Sequence, residues 1–212
     1  MIYEVRTYDL KPRSLPEVEK RFGEAYEKRK TYSPLAVFWH TEIGPLNQII
    51  HVWPYQDLEE RAKIRAAVVK DKIWPPNIGE FVTNMHTDIM HQFSFSPELK
   101  PGKMGPYFEM RTYTYQPGEL ATIMKTWEAA LPVRLAFGPA CALWYTELGD
   151  LNKFIHVWPY ESLNHREETR KKAHATGNWP AGKKAEKEGG RDYRLYSQEN
   201  KILVPSAFSP IQ

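Results

Sequence analysis

An α+β fold made of two β-α-β-β-α-β units is what this sequence predicts, and three observations carry the prediction. The first is a repeat. Tyr3-Glu4-Val5-Arg6-Thr7-Tyr8 returns as Phe108-Glu109-Met110-Arg111-Thr112-Tyr113, and Ile50-His51-Val52-Trp53-Pro54-Tyr55 returns as Ile155-His156-Val157-Trp158-Pro159-Tyr160, both at an offset of 105. Without a gap, about 27 positions are identical between residues 2–76 and 107–181, so chance is no explanation. The second is the period itself, too long for a solenoid unit and right for a complete small domain. The third is the order of strand and helix patterns inside each copy. A Pro/Gly-rich, non-periodic stretch separates the copies. It divides the chain into a first repeat over 1–97, a linker over 98–106 and a second repeat over 107–212.

Each element follows from its residues. Residues 2–9 alternate and are rich in Tyr, Val and Thr, which predicts a strand. Ser14 and Glu17 have capping-box spacing, and Leu15, Val18, Phe22, Ala25 and Tyr26 then recur at helical intervals. The second copy offers Leu120, Ile123, Trp127 and Ala130, with Pro132 expected to kink or end that helix early. Strands are predicted over 35–42 and 48–55, joined by the turn residues Gly44, Pro45 and Asn47. Asp57 caps a second helix that runs to about Lys70. A last strand is expected near 86–95, and near 200–208 in the second copy. This order defines the ferredoxin-like unit, whose helices cover only one face of its sheet. Laying the open face of one copy on that of the other buries both.

Composition narrows the function. Cys141 is the only cysteine, which rules out an internal disulfide and any multi-cysteine metal site. With 29 basic and 26 acidic residues the net charge is +3, too balanced to imply a nucleic-acid partner. The longest apolar runs fall far short of the ~20 residues that span a bilayer, and the N-terminus lacks the pattern of a signal peptide. A soluble, cytoplasmic protein is therefore expected, as is a homodimer of the already paired chain.

Strand parity sorts the side chains. Glu4, Arg6 and Tyr8 share one face of the first strand, and His51, Trp53 and Tyr55 share one face of the third. Glu109, Arg111, Tyr113, His156, Trp158 and Tyr160 repeat them. The aliphatic faces are expected beneath the helices, which leaves the polar set to line a cavity between the two sheets. There Arg6 and Arg111 suit a bidentate grip on an anion, unless Glu4 and Glu109 merely neutralise them. His51 and His156 are the candidate general bases, set against an ordinary structural role. Trp39, Trp53, Trp144 and Trp158 are expected as cavity walls. Arg61 and Arg65, with Arg166 and Arg170, sit one helical turn apart and read as a solvated or ion-paired face. Residues 183–191 read as a mixed-charge surface loop, and Cys141 as an inert thiol. No recurrent metal-ligand spacing occurs, so no metal and no cofactor are expected.

The sequences YEVRTY and FEMRTY, W-x-T-E-x-G-x-L-N in each hairpin and I-H-V-W-x-Y in each third strand resemble the NIPSNAP domain. Leu58-Glu59-Glu60-Arg61 and the closing segment from Pro205 to Pro210 are also similar to that family. The resemblance covers about 2–97 and 107–210. It implies a dimeric α/β barrel, two ferredoxin-like units packed sheet to sheet, here within one chain. NIPSNAP proteins are associated with vesicle traffic and mitochondria in eukaryotes and bring no agreed catalytic set. In the second copy Asn164-His165-Arg166 replaces Glu59-Glu60-Arg61, a departure from the pattern. Three readings follow: a binder of a small anionic or aromatic molecule, a non-catalytic interaction or scaffold protein, and a cofactor-independent monooxygenase or isomerase of the barrel type.

Overall fold

The computed structural model describes residues 1–182 and 195–212; the expected loop over 183–191 lies outside them. The predicted order of elements occurs twice. The first repeat runs β1 (Ile2–Leu10), α1 (Leu15–Arg29), β2 (Val37–Ile43), β3 (Gln48–Tyr55), α2 (Leu58–Lys70) and β4 (Val82–Gln92). The second runs β5 (Tyr107–Tyr115), α3 (Leu120–Leu135), β6 (Ala142–Leu148), β7 (Lys153–Tyr160), α4 (Leu163–Ala175) and β8 (Leu195–Pro205).

All eight strands close into one antiparallel barrel in the order β1-β3-β2-β8-β5-β7-β6-β4. The two half-sheets face each other and are also sewn together at both edges. At one seam β8 pairs with β2, at the other β4 pairs with β6. Every strand thus has two neighbours, which removes the exposed edges an open sheet must protect. Among the described residues, no helix is long and apolar enough to cross a membrane.

The barrel interior is aliphatic and aromatic: Val5, Val37, Ile50 and Val52 from the first repeat meet Met110, Ala142, Ile155 and Val157 from the second. Small branched side chains suit the narrow lumen of an eight-stranded barrel, which is a packed core. Trp39 and Trp144 lie in that interior. Tyr8, Trp53 and Tyr55 instead pack with Phe22 and Tyr26 of α1, outside the barrel wall. The expectation about the faces is therefore reversed. The polar set lies between sheet and helices, and the aliphatic set lies between the sheets.

Local details also differ from expectation. Ser14 makes no side-chain cap on α1 and donates its hydroxyl to Lys11 O instead, whereas Asp57 does accept the Glu60 N–H at 2.8 Å. Helix α3 continues past Pro132 to Leu135, because Leu131 and Arg134 are both buried and anchor its last turn. The closing strands begin earlier than predicted, since the polar residues at 83–84 and 197–200 pair along β1 and β5. Cys141 is buried just before β6, and burial pushes its thiol up to about 12.

Both hairpin turns use positive φ, at Gly44 and Asn47 and again at Gly149 and Asn152. A Cβ on Gly149 would lie 2.1 Å from Asp88 Oδ1. Asp88 is buried and accepts the Asp150 N–H, so it has little room to retreat. A Cβ on Gly44 meets only the Lys201 side chain at 3.4 Å. Gly149→Ala is accordingly expected to cost about 2–3 kcal/mol and Gly44→Ala about 1–2. Urea unfolding of the two variants checks this, and equal losses would contradict it.

Candidate functional site

Register brings the polar side chains together. Across β1 and β3, Glu4 lies opposite Trp53 and Arg6 opposite His51; across β5 and β7, Glu109 lies opposite Trp158 and Arg111 opposite His156. Each glutamate is fully buried. Glu4 accepts from Arg6 at 2.7 Å and from Arg61 of α2 at 2.6 Å, with Arg65 at 3.7 Å. Glu109 accepts from Arg111 at 3.0 Å and from Arg166 of α4 at 2.6 Å, with Arg170 at 3.6 Å. Burial raises the pKa of a carboxylate. The hydrogen bonds from Arg61 and Arg166 and the neighbouring guanidinium charges outweigh that and hold both glutamates below their ordinary value.

A fourth arginine approaches from the first helix of each repeat. Arg29 donates to Tyr55 Oη at 3.2 Å and lies 4.5 Å over the Trp53 ring. Arg134 donates to Tyr160 Oη at 3.0 Å and lies 4.2 Å over Trp158. Each carboxylate therefore faces three arginines directly, and Glu109 meets a fourth through Tyr160, whose hydroxyl donates to it at 3.4 Å. The surplus of positive charge is the dominant electrostatic feature of both clusters.

The histidines are oriented by their tryptophans. Trp53 Nε1–H donates to His51 Nδ1, and Trp158 Nε1–H to His156 Nδ1, each at 2.6 Å. The neutral ring then carries its proton on Nε2, an atom that is buried without a hydrogen-bond partner in both copies. Burial, reinforced by Arg6 and Arg65 or by Arg111, Arg170 and Arg134, pushes both imidazoles well below 6.5. At neutral pH these groups are hydrogen-bond donors.

In the second repeat the cluster opens onto a cavity of about 250 Å³ between sheet and helices. Arg111, Arg134 and Arg170 line it together with Tyr113, His156 and the rings of Trp127, Trp158 and Trp179. A larger groove of about 620 Å³ runs beside α1, but it is shallow and its charges neutralise one another, Arg21 pairing with Glu17 and Glu80. His86, Asp88 and Asp150 approach each other at the β4–β6 seam. Lys153 sets its ammonium 2.6 Å from Asp150 and 3.5 Å from Asp88, so the charge there is met by the protein itself.

Of the predicted site residues, Glu4, Arg6, Tyr8, His51 and Trp53 come together in one repeat, and Glu109, Arg111, Tyr113, His156 and Trp158 in the other. Trp39 and Trp144 do not join them. Sequence reasoning missed Arg29, Arg134, Trp74, Trp127 and Trp179 as partners; it read Arg61, Arg65, Arg166 and Arg170 as a solvated or ion-paired face, and they are ion-paired, to Glu4 and Glu109. The recurrence of all six helix arginines, three in each repeat, at the 105-residue offset was the available signal.

The closed barrel with helices outside and a polar cluster beneath them defines the class as a tandem α/β barrel. The chain belongs to the NIPSNAP family, whose profile matches residues 3–97 and 108–210. It is 31% identical over 218 residues to Protein NipSnap homolog 3B of Homo sapiens, covering 99% of this chain and 85% of that one. It is 26% identical over 225 residues to Protein NipSnap of Drosophila melanogaster, covering 100% and 79%. In fold it resembles a putative monooxygenase from Lactobacillus acidophilus, with a TM-score of 0.62 at 10% identity over 97% of this chain and 94% of that one.

Proposed function

We propose that this protein binds a small anionic molecule in the sheet–helix cavity of its second repeat. One observation carries the reading: three guanidinium groups, those of Arg111, Arg134 and Arg170, line a cavity whose one neighbouring carboxylate among the described residues, Glu109, already accepts hydrogen bonds from Arg111 and Arg166. Among the described residues Arg170 makes no hydrogen bond, and its nearest counter-ion atom there, on Glu109, is 3.6 Å away. Burial lowers its pKa; Glu109 works against this, but Arg111 and Arg166 lower it further, and the net shift is downward. Keeping Arg170 charged in this position costs the fold free energy that a bound anion returns.

Binding fits this geometry better than acid–base catalysis. With Nδ1 occupied by the indole N–H, neither His51 nor His156 has a free lone pair to take a proton. In a purely scaffolding role Arg170 would serve only as a charge 3.6 Å from Glu109, with no hydrogen bond among the described residues. Small molecules released by denaturing freshly purified protein and identified by mass spectrometry test the reading. An anion at about one per chain is expected from the unaltered protein and none from Arg111→Leu/Arg170→Leu; nothing from either overturns it. Two chains per particle are expected in light scattering, since closed symmetry is the usual outcome for soluble chains.

A further inference from the structure

Resting on that reading, we infer that the ligand of the second-repeat cavity is a compact aromatic carboxylate, one or two rings carrying a single acid group. Size is the first argument. At about 250 Å³ the cavity lies below the roughly 300–1,000 Å³ that accommodates drug-sized ligands, which excludes nucleotides and long acyl chains.

The walls are the second argument. Trp127 and Trp179 meet edge to face with centroids 5.2 Å apart, and Trp158 and Trp179 do so at 6.0 Å. Trp179, edge to face with both other indoles, frames with them a slot that a flat ring fills by stacking on one and meeting the edge of another. His156 lines the same cavity, and its Nε2–H is buried without a hydrogen-bond partner.

The head group follows from the charges. Arg111 spends Nε on Tyr113 and Nη1 on Glu109, which leaves its second Nη for a ligand, and Arg170, held only by a 3.6 Å ion pair among the described residues, lines the same cavity. Planar forks of this kind match a carboxylate. The helices disfavour a phosphate dianion more than a carboxylate, which carries a single charge. Arg134 and His174, which line the cavity, belong to the last turns of α3 and α4, where the helix dipole is negative and no free backbone N–H points outward.

The two repeats differ where this matters. At the repeat offset, Val69 takes the place of His174 and Leu10 that of Tyr115. In the first repeat Ile78 is buried in the same cluster as Tyr8 and Trp53. One site per chain, in the second repeat, is the consequence.

Titration calorimetry of the full chain with 2-naphthoate, benzoate, acetate and inorganic phosphate tests the inference. The aromatic acids are expected to bind at least about tenfold more tightly than acetate or phosphate, at one per chain. Arg170→Leu should weaken them about tenfold or more, the conservative Arg170→Lys less, and Arg65→Leu in the first repeat not at all. Acetate or phosphate binding as tightly as the aromatic acids, with the same dependence on Arg170, would overturn the aromatic class and leave the anion reading standing. Loss of binding in Arg65→Leu alone would overturn the assignment to the second repeat. A wild-type chain that binds none of the four overturns the aromatic inference, while the mass-spectrometric test judges the anion reading separately.

Discussion

Glu109→Gln is expected to destabilise the protein by about 3–5 kcal/mol, and Glu4→Gln by a similar amount. Each glutamate is fully buried and holds two arginine hydrogen bonds and a third guanidinium charge. Removing one partner of a buried ion pair leaves the other charge uncompensated, which costs several kcal/mol. Here three cations lose their anion at once. The amide keeps the shape of the carboxylate, so the loss reports charge and hydrogen bonding, with little contribution from packing. Urea unfolding at pH 7 measures it. The two residues lie in separate repeats, so their effects should add in the double variant.

Stability should fall by about 2–3 kcal/mol between pH 7 and pH 5.5. The folded chain holds His51 and His156 well below 6.5, while the unfolded chain releases them to their ordinary value. The stability they contribute is complete above about pH 6.5. It is lost as the pH falls below that point, because the unfolded state then binds more protons than the folded one. Each group contributes up to about 1.4 kcal/mol per pH unit, and there are two. The glutamates act in a lower window. Their folded pKa values lie below 4.5, so their stabilisation is intact until the medium falls beneath that value. The double variant His51→Gln/His156→Gln should flatten the profile between pH 7 and 5.5 whatever its absolute stability. A wild-type profile that is flat or rising toward acid would contradict the assignment.

Much of this architecture is legible in the sequence, and the part that is not has a physical cause. The 105-residue offset and the strand alternation lead to two ferredoxin-like units, and parity groups Glu4 with Arg6 and His51 with Trp53 correctly. Parity says which residues share a face; it does not say which face turns inward. A default that places aliphatic residues beneath helices fails here, because the closed lumen is the drier compartment and takes Val5, Ile50 and Val52. The sheet–helix layer can then hold charge, since α2 and α4 bring Arg61, Arg65, Arg166 and Arg170 to the glutamates. Arginines at i and i+4 on a polar helix look like a solvated face until a buried carboxylate is found opposite them.

The hairpin register carried an unread clue about the tryptophans. Pairing Trp39 with Ile50, and Trp144 with Ile155, puts both indoles on the aliphatic side and so inside the barrel. Arg29 and Arg134 were harder to find. Each is a basic residue in the last turn of a helix, a position where arginine ordinarily serves the helix dipole. Their role depends on Tyr55 and Tyr160, which lie 26 residues further along the chain.

On the proposed function, the two arginines of α4 have separate tasks: Arg166 holds the fold and Arg170 is held at a cost for a ligand. Arg166 gives Glu109 a 2.6 Å hydrogen bond, whereas Arg170 stands 3.6 Å away with its charge opposed by Arg111 and Arg166. Thermal unfolding of Arg166→Met and Arg170→Met, in dilute buffer free of carboxylic acids and phosphate, compares the two directly. The account predicts a large fall in Tm for Arg166→Met and an unchanged or higher Tm for Arg170→Met. Equal, large falls in both would make Arg170 a structural arginine like its neighbour and contradict the proposed anion site.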